Sequence, residues 1–199
     1  MMSSVDTDKI LDAALDVAGA RGWFALTLHD VAEHAGLPPV ELERSFRTKR
    51  ALLDGIADRF DREAVAAVDP DAEDPDLPAP ERLFDALMTR FELLQEHRGG
   101  YSALLKAARR DPCMALGGLP RLHSAMGDVL HLSGIGTRGP IGCLRRKVLA
   151  ALYVSVLNVW LDDRSEDLGP TMAALDKRLR KLDELVASSP FRTKKPRTY

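Results

Sequence analysis

The chain has 199 residues, 45% of them hydrophobic and 29% charged, a balance that suits one or two globular domains and excludes a fibrous or disordered chain. A formal net charge of −2 gives no bulk electrostatic push toward nucleic acid. The two cysteines, Cys113 and Cys143, form no paired-Cys motif and leave two readings, buried thiols in a reducing cytosol or a redox pair.

The charge is unevenly spread. Residues 1–50 hold six Lys/Arg against eight Asp/Glu, whereas residues 138–199 hold thirteen against seven. The start, MMSSVDTDK, has neither a basic n-region nor an apolar h-region, so no secretory signal is expected. The longest apolar run, Val148 to Leu161, is fourteen residues long. A spanning helix needs about 20, so no membrane span is expected and the protein is read as cytoplasmic.

In chain order, Asp6-Thr7 supplies N-cap chemistry for a first helix whose inward face is Ile10, Leu11, Ala14, Leu15 and Ala18. Gly19 and Gly22 mark its end, and Trp23, Phe24 and Leu26 close a small core. Thr27 is placed to cap helix two, with Asp30 three residues on. Ala35-Gly36 breaks the chain, and Pro38-Pro39 opens a short helix three to Ser45. Two short helices joined by a Gly-containing turn are a helix-turn-helix unit. Thr48 caps a longer helix four with Leu52, Leu53, Ile56, Ala57 and Phe60 inward.

Residues 69–80, DPDAEDPDLPAP, carry four prolines and five acids and read as a solvated loop. Helical patterns resume at Glu81–His97, Gly100–Arg110 and Pro112–Leu132, followed by a flexible break at Ser133–Gly142. An apolar helix then runs over Ile141–Leu161 and a last one over Pro170–Ser188. In that last helix Leu168, Met172, Leu175, Leu179, Leu182 and Val186 step by fours and threes, an a/d seam. Asp162-Asp163 and Glu166-Asp167 are read as solvated, with Asp167 or Thr171 capping the last helix. No run of alternating β-branched residues occurs, so the fold class is all-α. The expected domains are a helix-turn-helix unit at 1–50 with helix four (49–68) as connector, the acidic loop at 69–80, a helical domain at 81–188, and a basic disordered tail at 189–199.

The first quarter resembles the DNA-binding domain of the TetR/AcrR family of bacterial regulators. The matching pieces are I-L-D-A-A-L at 10–15, R-G at 21–22, T-x-x-x-V-A-x-x-A-G-L at 27–37, Leu42, Phe46 and K-x-x-L at 49–52. The resemblance implies a homodimer that binds a double-stranded operator, a repressor released by a small molecule held in the larger domain. DNA contacts are expected from Thr27, His29, Pro39, Val40, Glu41, Arg44, Arg47 and Lys49. The dimer interface is expected from Val148, Leu152, Val156, Val159, Met172, Leu175, Leu179 and Leu182. An apolar effector would meet Phe84, Met88, Phe91, Leu105, Met126, Tyr153 and Asn158.

The chain departs from that family where DNA would be read. Pro38, Pro39, Val40 and Glu41 lead the reading helix, and Glu43 stands where a phosphate-binding Tyr is expected. Carboxylates beside phosphate cost affinity, although Glu41 can accept a hydrogen bond from a cytosine amino group. Residues 161–179, L-D-D-R-S-E-D-L-x-x-T-M-A-A-L-D-K-R-L, are also similar to the closing segment of the ubiquinone-biosynthesis lipid-binding accessory proteins. That likeness implies the alternative of a TetR-type fold that binds isoprenoid lipid and does not read DNA.

Nothing points to catalysis or a cofactor. The five histidines show no metal-ligand spacing, SGIGTRGPIG follows no strand, and no nucleophile lies at an identifiable spacing from a base. The protein is read as a non-enzyme with no metal.

Overall fold

A computed structural model describes residues 4–68 and 77–188. The stretch 69–76 and the tail 189–199 lie outside the described residues, and so does most of the expected acidic loop. Among the described residues there are nine helices and no strand: α1 (Ser4–Arg21), α2 (Leu28–Ala35), α3 (Pro39–Ser45), α4 (Lys49–Ala66), α5 (Ala79–Glu96), α6 (Arg98–Arg110), α7 (Pro112–Leu132), α8 (Gly139–Asp162) and α9 (Gly169–Ala187). The fold is all-α.

Helices α1 to α3 form one small bundle because their apolar positions recur on single faces. Ile10, Leu11, Ala14, Leu15 and Ala18 of α1 close on Val31, Ala32 and Ala35 of α2, on Leu42 of α3, and on Trp23 and Leu26 between α1 and α2. Burying Leu42 alone is worth about 1.5–3 kcal/mol. The expected cap at Asp6-Thr7 is corrected: α1 begins at Ser4, so both residues fall inside its first turn, where the helix dipole also favours acid.

The bundle is seated on the rest of the chain through close backbone approach. α1 packs along α6. A Cβ on Gly100 would lie 2.6 Å from the Leu15 carbonyl oxygen, so only glycine allows this seating. α6 begins at Arg98, two residues before the expected start at Gly100. The 18 residues of α4 rise about 27 Å from the helix-turn-helix into the larger domain. There α4 packs against α5 and α7, and the pairs α7–α8 and α8–α9 complete the bundle.

Two arginines sit inside. Arg59 of α4 donates to Asp12 Oδ1 at 2.6 Å and to the Asp8 carbonyl at 3.1 Å. Arg90 of α5 donates to Asp61 Oδ1 at 2.7 Å, and its guanidinium lies 4.7 Å from the Phe60 ring and 5.7 Å from the Tyr153 ring. Burial works against the charge on both side chains; Asp12 restores it at Arg59, and Tyr153 with Asp61 restores it at Arg90.

Several expectations at element ends are corrected. Pro78 caps α5 and Pro80 lies in its first turn, a position that tolerates proline, so the expected loop ends before Ala79. α8 begins at Gly139, inside the expected break, with Pro140 in its first turn. Asp163, expected to be solvated, is buried. Its Oδ1 accepts from Ser165 N and Oγ, and its Oδ2 accepts from Thr171 N at 3.0 Å and Oγ1 at 2.6 Å. Neither Asp167 nor Thr171 therefore serves as the N-cap of α9: Leu168 holds that position at φ +52°, and the carboxylate that reaches the first turn is Asp163. Among the described residues, Asp167 accepts from Gly169 N alone. The buried-thiol reading is also corrected, because Cys113 and Cys143 are both free and exposed. Cys143 Sγ lies 3.9 Å from His123 Nε2 of α7.

Candidate nucleic-acid interface

The reading unit is built by three local devices. Thr27 and Asp30 form a reciprocal capping box. Thr27 Oγ1 accepts from Asp30 N at 3.1 Å, while Asp30 Oδ2 accepts from Thr27 N at 3.0 Å and from Thr27 Oγ1 at 2.7 Å. Arg21 donates to the other carboxylate oxygen at 2.7 Å. These hydrogen bonds from Thr27, with the charge of Arg21, hold the Asp30 carboxyl below its usual range.

Gly36 ends α2 at φ +65°, and the Leu37 amide returns to the Ala32 carbonyl at 2.9 Å, a Schellman-type closure that requires a left-handed residue. Pro38 then caps α3 and Pro39 occupies its first turn. The third device is Phe46, whose ring packs against Gly55 of α4. A Cβ there would meet its Cε1 at 2.6 Å, and the contact sets the angle at which α4 leaves the unit.

What remains outward is mixed in chemistry. Pro39, Val40 and Glu41 are exposed on the first turn of α3, Val40 at 60%, with Glu43 and Arg44 behind them. Arg44, Arg47 and His29 are exposed and pair with none of the described residues, so their donors are free for phosphate. Thr27 is different. Both its amide and its hydroxyl donate to Asp30, which leaves no donor for a phosphate oxygen. Lys49 is also engaged. Its Nζ donates to the Phe24 carbonyl at 3.1 Å and lies 4.9 Å from the Trp23 ring, and burial lowers its pKa. Sequence reasoning did not single out Phe24 here. Its side chain is 56% exposed beside that lysine, and its position between Trp23 and Leu26 made it look like core.

The residues expected at a dimer interface divide. Val156, Leu175 and Leu179 are buried within the single chain, while Leu152, Val159 and Leu182 are half-buried. Val148 and Met172 are exposed, as is Val154, which was not singled out. The physical reason is that α8 and α9 each turn one face to their own bundle, so an a/d seam on α9 serves the chain's own core first.

The residues expected around an effector divide in the same way. Phe91, Met126, Tyr153 and Met88 are buried, with Phe84 and Leu105 packed against them, and the Phe91 and Tyr153 rings lie 5.1 Å apart. Asn158 is not among them. It is exposed, accepts from Arg109, and lines an open groove of about 700 Å³ beside Asp162, Arg164 and Arg178. Arg90 stands in the middle of the expected pocket. Spaced three after Leu87 and four before Leu94, it occupies the apolar stripe of α5, and that spacing was the signal available in the sequence. Among the described residues no group of three or more His, Cys, Asp or Glu is placed to hold a metal ion, and no helix is long and apolar enough to cross a membrane.

Comparison with known proteins agrees with this geometry. Residues 10–56 match the family model of bacterial regulatory proteins, tetR family, and residues 117–186 match the COQ9 model. An uncharacterised HTH-type transcriptional regulator in the dhlA 5′ region of Xanthobacter autotrophicus is 32% identical over 79 residues. That match covers 40% of this chain and 38% of the relative, so less than half of its length is shared.

Among solved structures, a TetR transcriptional regulator from Nitrosomonas europaea superposes with a TM-score of 0.74 at 21% identity, covering 89% of this chain and 98% of that one. A second, from Rhodococcus sp. RHA1, superposes with a TM-score of 0.65 at 18% identity, covering 95% and 100%. At these identities the structures speak for the fold alone. Residues 10–56 are thus similar to the tetR-family N-terminal domain, within an all-α fold like that of solved TetR regulators, and residues 117–186 are similar to the COQ9 model.

Proposed function

We propose that the protein is a DNA-binding transcriptional regulator, a homodimeric repressor in the cytoplasm with no enzymatic activity of its own. The observation that carries this reading is the completed helix-turn-helix: a capping box, a left-handed Gly36 and a proline-led α3, with Arg44 and Arg47 free beside it. Residues 1–50 would form the reading domain, α4 the connector, and residues 81–188 the dimerisation and effector domain. Two reading heads must lie about 34–36 Å apart, or a multiple of that, to meet successive major grooves.

Val148, Val154 and Met172 supply an exposed apolar face for a second copy, extended by the half-buried Leu152, Val159 and Leu182. An apolar small molecule among Phe84, Met88, Phe91, Leu105, Met126 and Tyr153 would favour a state with the heads wrongly spaced. The test is a low-salt gel shift with fragments from the protein's own promoter region. Retarded bands that Arg44→Ala and Arg47→Ala weaken support the reading, and a folded dimer that ignores every fragment refutes it.

The COQ9 match over residues 117–186 favours a second reading, a lipid-binding accessory protein on the same scaffold. Mass spectrometry of the purified protein separates the two. Co-purified isoprenoid or acyl lipid, together with no DNA retardation, decides for the second reading.

A further inference from the structure

Arg90 is the charged group set into the apolar stripe of α5, and it is 5% exposed. Its guanidinium lies 4.7 Å from the Phe60 ring and 5.7 Å from the Tyr153 ring, and the Phe91 ring packs on Tyr153 at 5.1 Å. A guanidinium is always charged and all its nitrogens donate, so in apolar surroundings each unmet N–H costs free energy. Asp61 accepts from one nitrogen, Nη2, at 2.7 Å. Nε is buried and has no hydrogen-bond partner among the described residues. Arg59, buried to the same degree, is better served: Asp12 and the Asp8 carbonyl accept from it, and Glu63 lies 3.6 Å from its Nε.

The carboxylate that neutralises Arg90 comes from the edge of the core. Asp61 belongs to α4, its side chain is 24% exposed, and it lines an open groove of about 490 Å³ between α4 and α7. It also lies 3.5 Å from Arg121 of α7, so a second cation stands beside it at the surface. A carboxylate fits a guanidinium best by taking Nε and Nη2 together as a parallel pair of donors. Here Nη2 is on Asp61 and Nε is unused, so a bidentate seat is half filled. The groove leads from solvent to that seat past Asp61.

We propose that Arg90 anchors an effector site for a monocarboxylate with an aliphatic tail. This rests on the reading of residues 81–188 as an effector domain and names the class of ligand that domain takes. The ligand carboxylate accepts from Nε and Nη2 of Arg90 together. The tail takes its place among Met88, Leu105 and Met126, because flexible methionines yield to a narrow chain more readily than branched or aromatic neighbours do. A neutral ligand would leave Nε unmet, and an ammonium would meet a buried cation. Two carboxylates beside one buried guanidinium would leave a net negative charge out of water. The ligand therefore replaces Asp61, which turns to Arg121 and to solvent. That exchange breaks the ion pair joining α4 to α5, and α4 carries the helix-turn-helix.

Isothermal titration of the full-length protein with sodium decanoate, decan-1-ol and decylammonium chloride, each below its micelle concentration, tests this. We expect saturable decanoate binding, at least about tenfold tighter than that of decan-1-ol, and no binding of decylammonium. Arg90→Gln should bind decanoate no more tightly than decan-1-ol. Asp61→Asn removes the internal competitor, so it should bind decanoate about tenfold more tightly than wild type, and decanoate should raise its Tm by more than it raises that of wild type. If Arg90→Gln does not fold by circular dichroism, the Asp61→Asn comparison decides. No saturable decanoate binding overturns the proposal, and so does a folded Asp61→Asn whose decanoate affinity matches wild type. Decan-1-ol binding as tightly as decanoate to the wild type also overturns it, while leaving an apolar effector standing. The titration contains no DNA, so a failure to retard promoter fragments is read separately.

Discussion

Asp163→Asn is the most informative perturbation of the fold. This carboxylate is 4% exposed and accepts four hydrogen bonds, two from Ser165 and two from Thr171. Burial pushes its pKa up, but the hydrogen bonds from Ser165 and Thr171 outweigh burial and bring it down to about 2. The drop from the reference value of 3.8 corresponds to about 2.5 kcal/mol of stability. Because the folded pKa is depressed, that stability is fully present above about pH 4 and is lost as pH falls toward 2, with about half gone by pH 3. Asparagine keeps one acceptor and turns the other into an NH₂ that faces donors, leaving the Thr171 or Ser165 pair unmet. Urea unfolding at pH 7 should show the variant less stable by about 2–3 kcal/mol. The gap to wild type should narrow when the comparison is repeated near pH 3. A gap under about 0.5 kcal/mol at pH 7, or one that does not change with pH, would refute the role assigned to this carboxylate.

Gly100→Ala places a Cβ 2.6 Å from the Leu15 carbonyl, so α1 must move off α6. We expect a loss of about 2–4 kcal/mol by urea unfolding and faster hydrogen exchange along α1. Gly36→Ala forces alanine to φ +65° and should cost about 1–2 kcal/mol, read as a lowered melting temperature. Thr27→Ala removes the capping box and should cost about 1 kcal/mol. It should leave DNA affinity unchanged once stability is corrected for, because neither donor of Thr27 is free.

Much of the fold was legible because its signals are local. The short α3 is bounded by Pro38 and Phe46, and α7 by the prolines and glycines around it, so periodicity and turn chemistry were enough. The cap at Thr27 was legible for the same reason, since its partner lies three residues away. Asp163 was not, because its partners include a residue eight positions on, and one acid of an Asp-Asp pair looks like any other until the loop closes on it. Arg59 and Arg90 sit on apolar stripes, but their burial depends on Asp12 and Asp61 arriving from other helices. The candidate interface was legible as a frame and less so as a surface. The family resemblance put Thr27 and Lys49 among the expected contacts, yet only the folded structure shows that Thr27 has spent its donors on Asp30 and that Lys49 is tied to Phe24 and Trp23. The seam on α9 misled in the same way, because a heptad pattern does not say whether its partner is the same chain or another copy.

The central claim is that this acidic, proline-led helix-turn-helix still holds DNA through its few free cations. The salt dependence of binding to a retarded promoter fragment, measured by fluorescence anisotropy for wild type and for Arg44→Ala and Arg47→Ala, tests it most directly. The account predicts affinity that falls steeply with salt, and a log–log slope reduced by about 1 for each arginine removed. A wild type with no salt-dependent binding, or variants whose slope matches wild type, would contradict it.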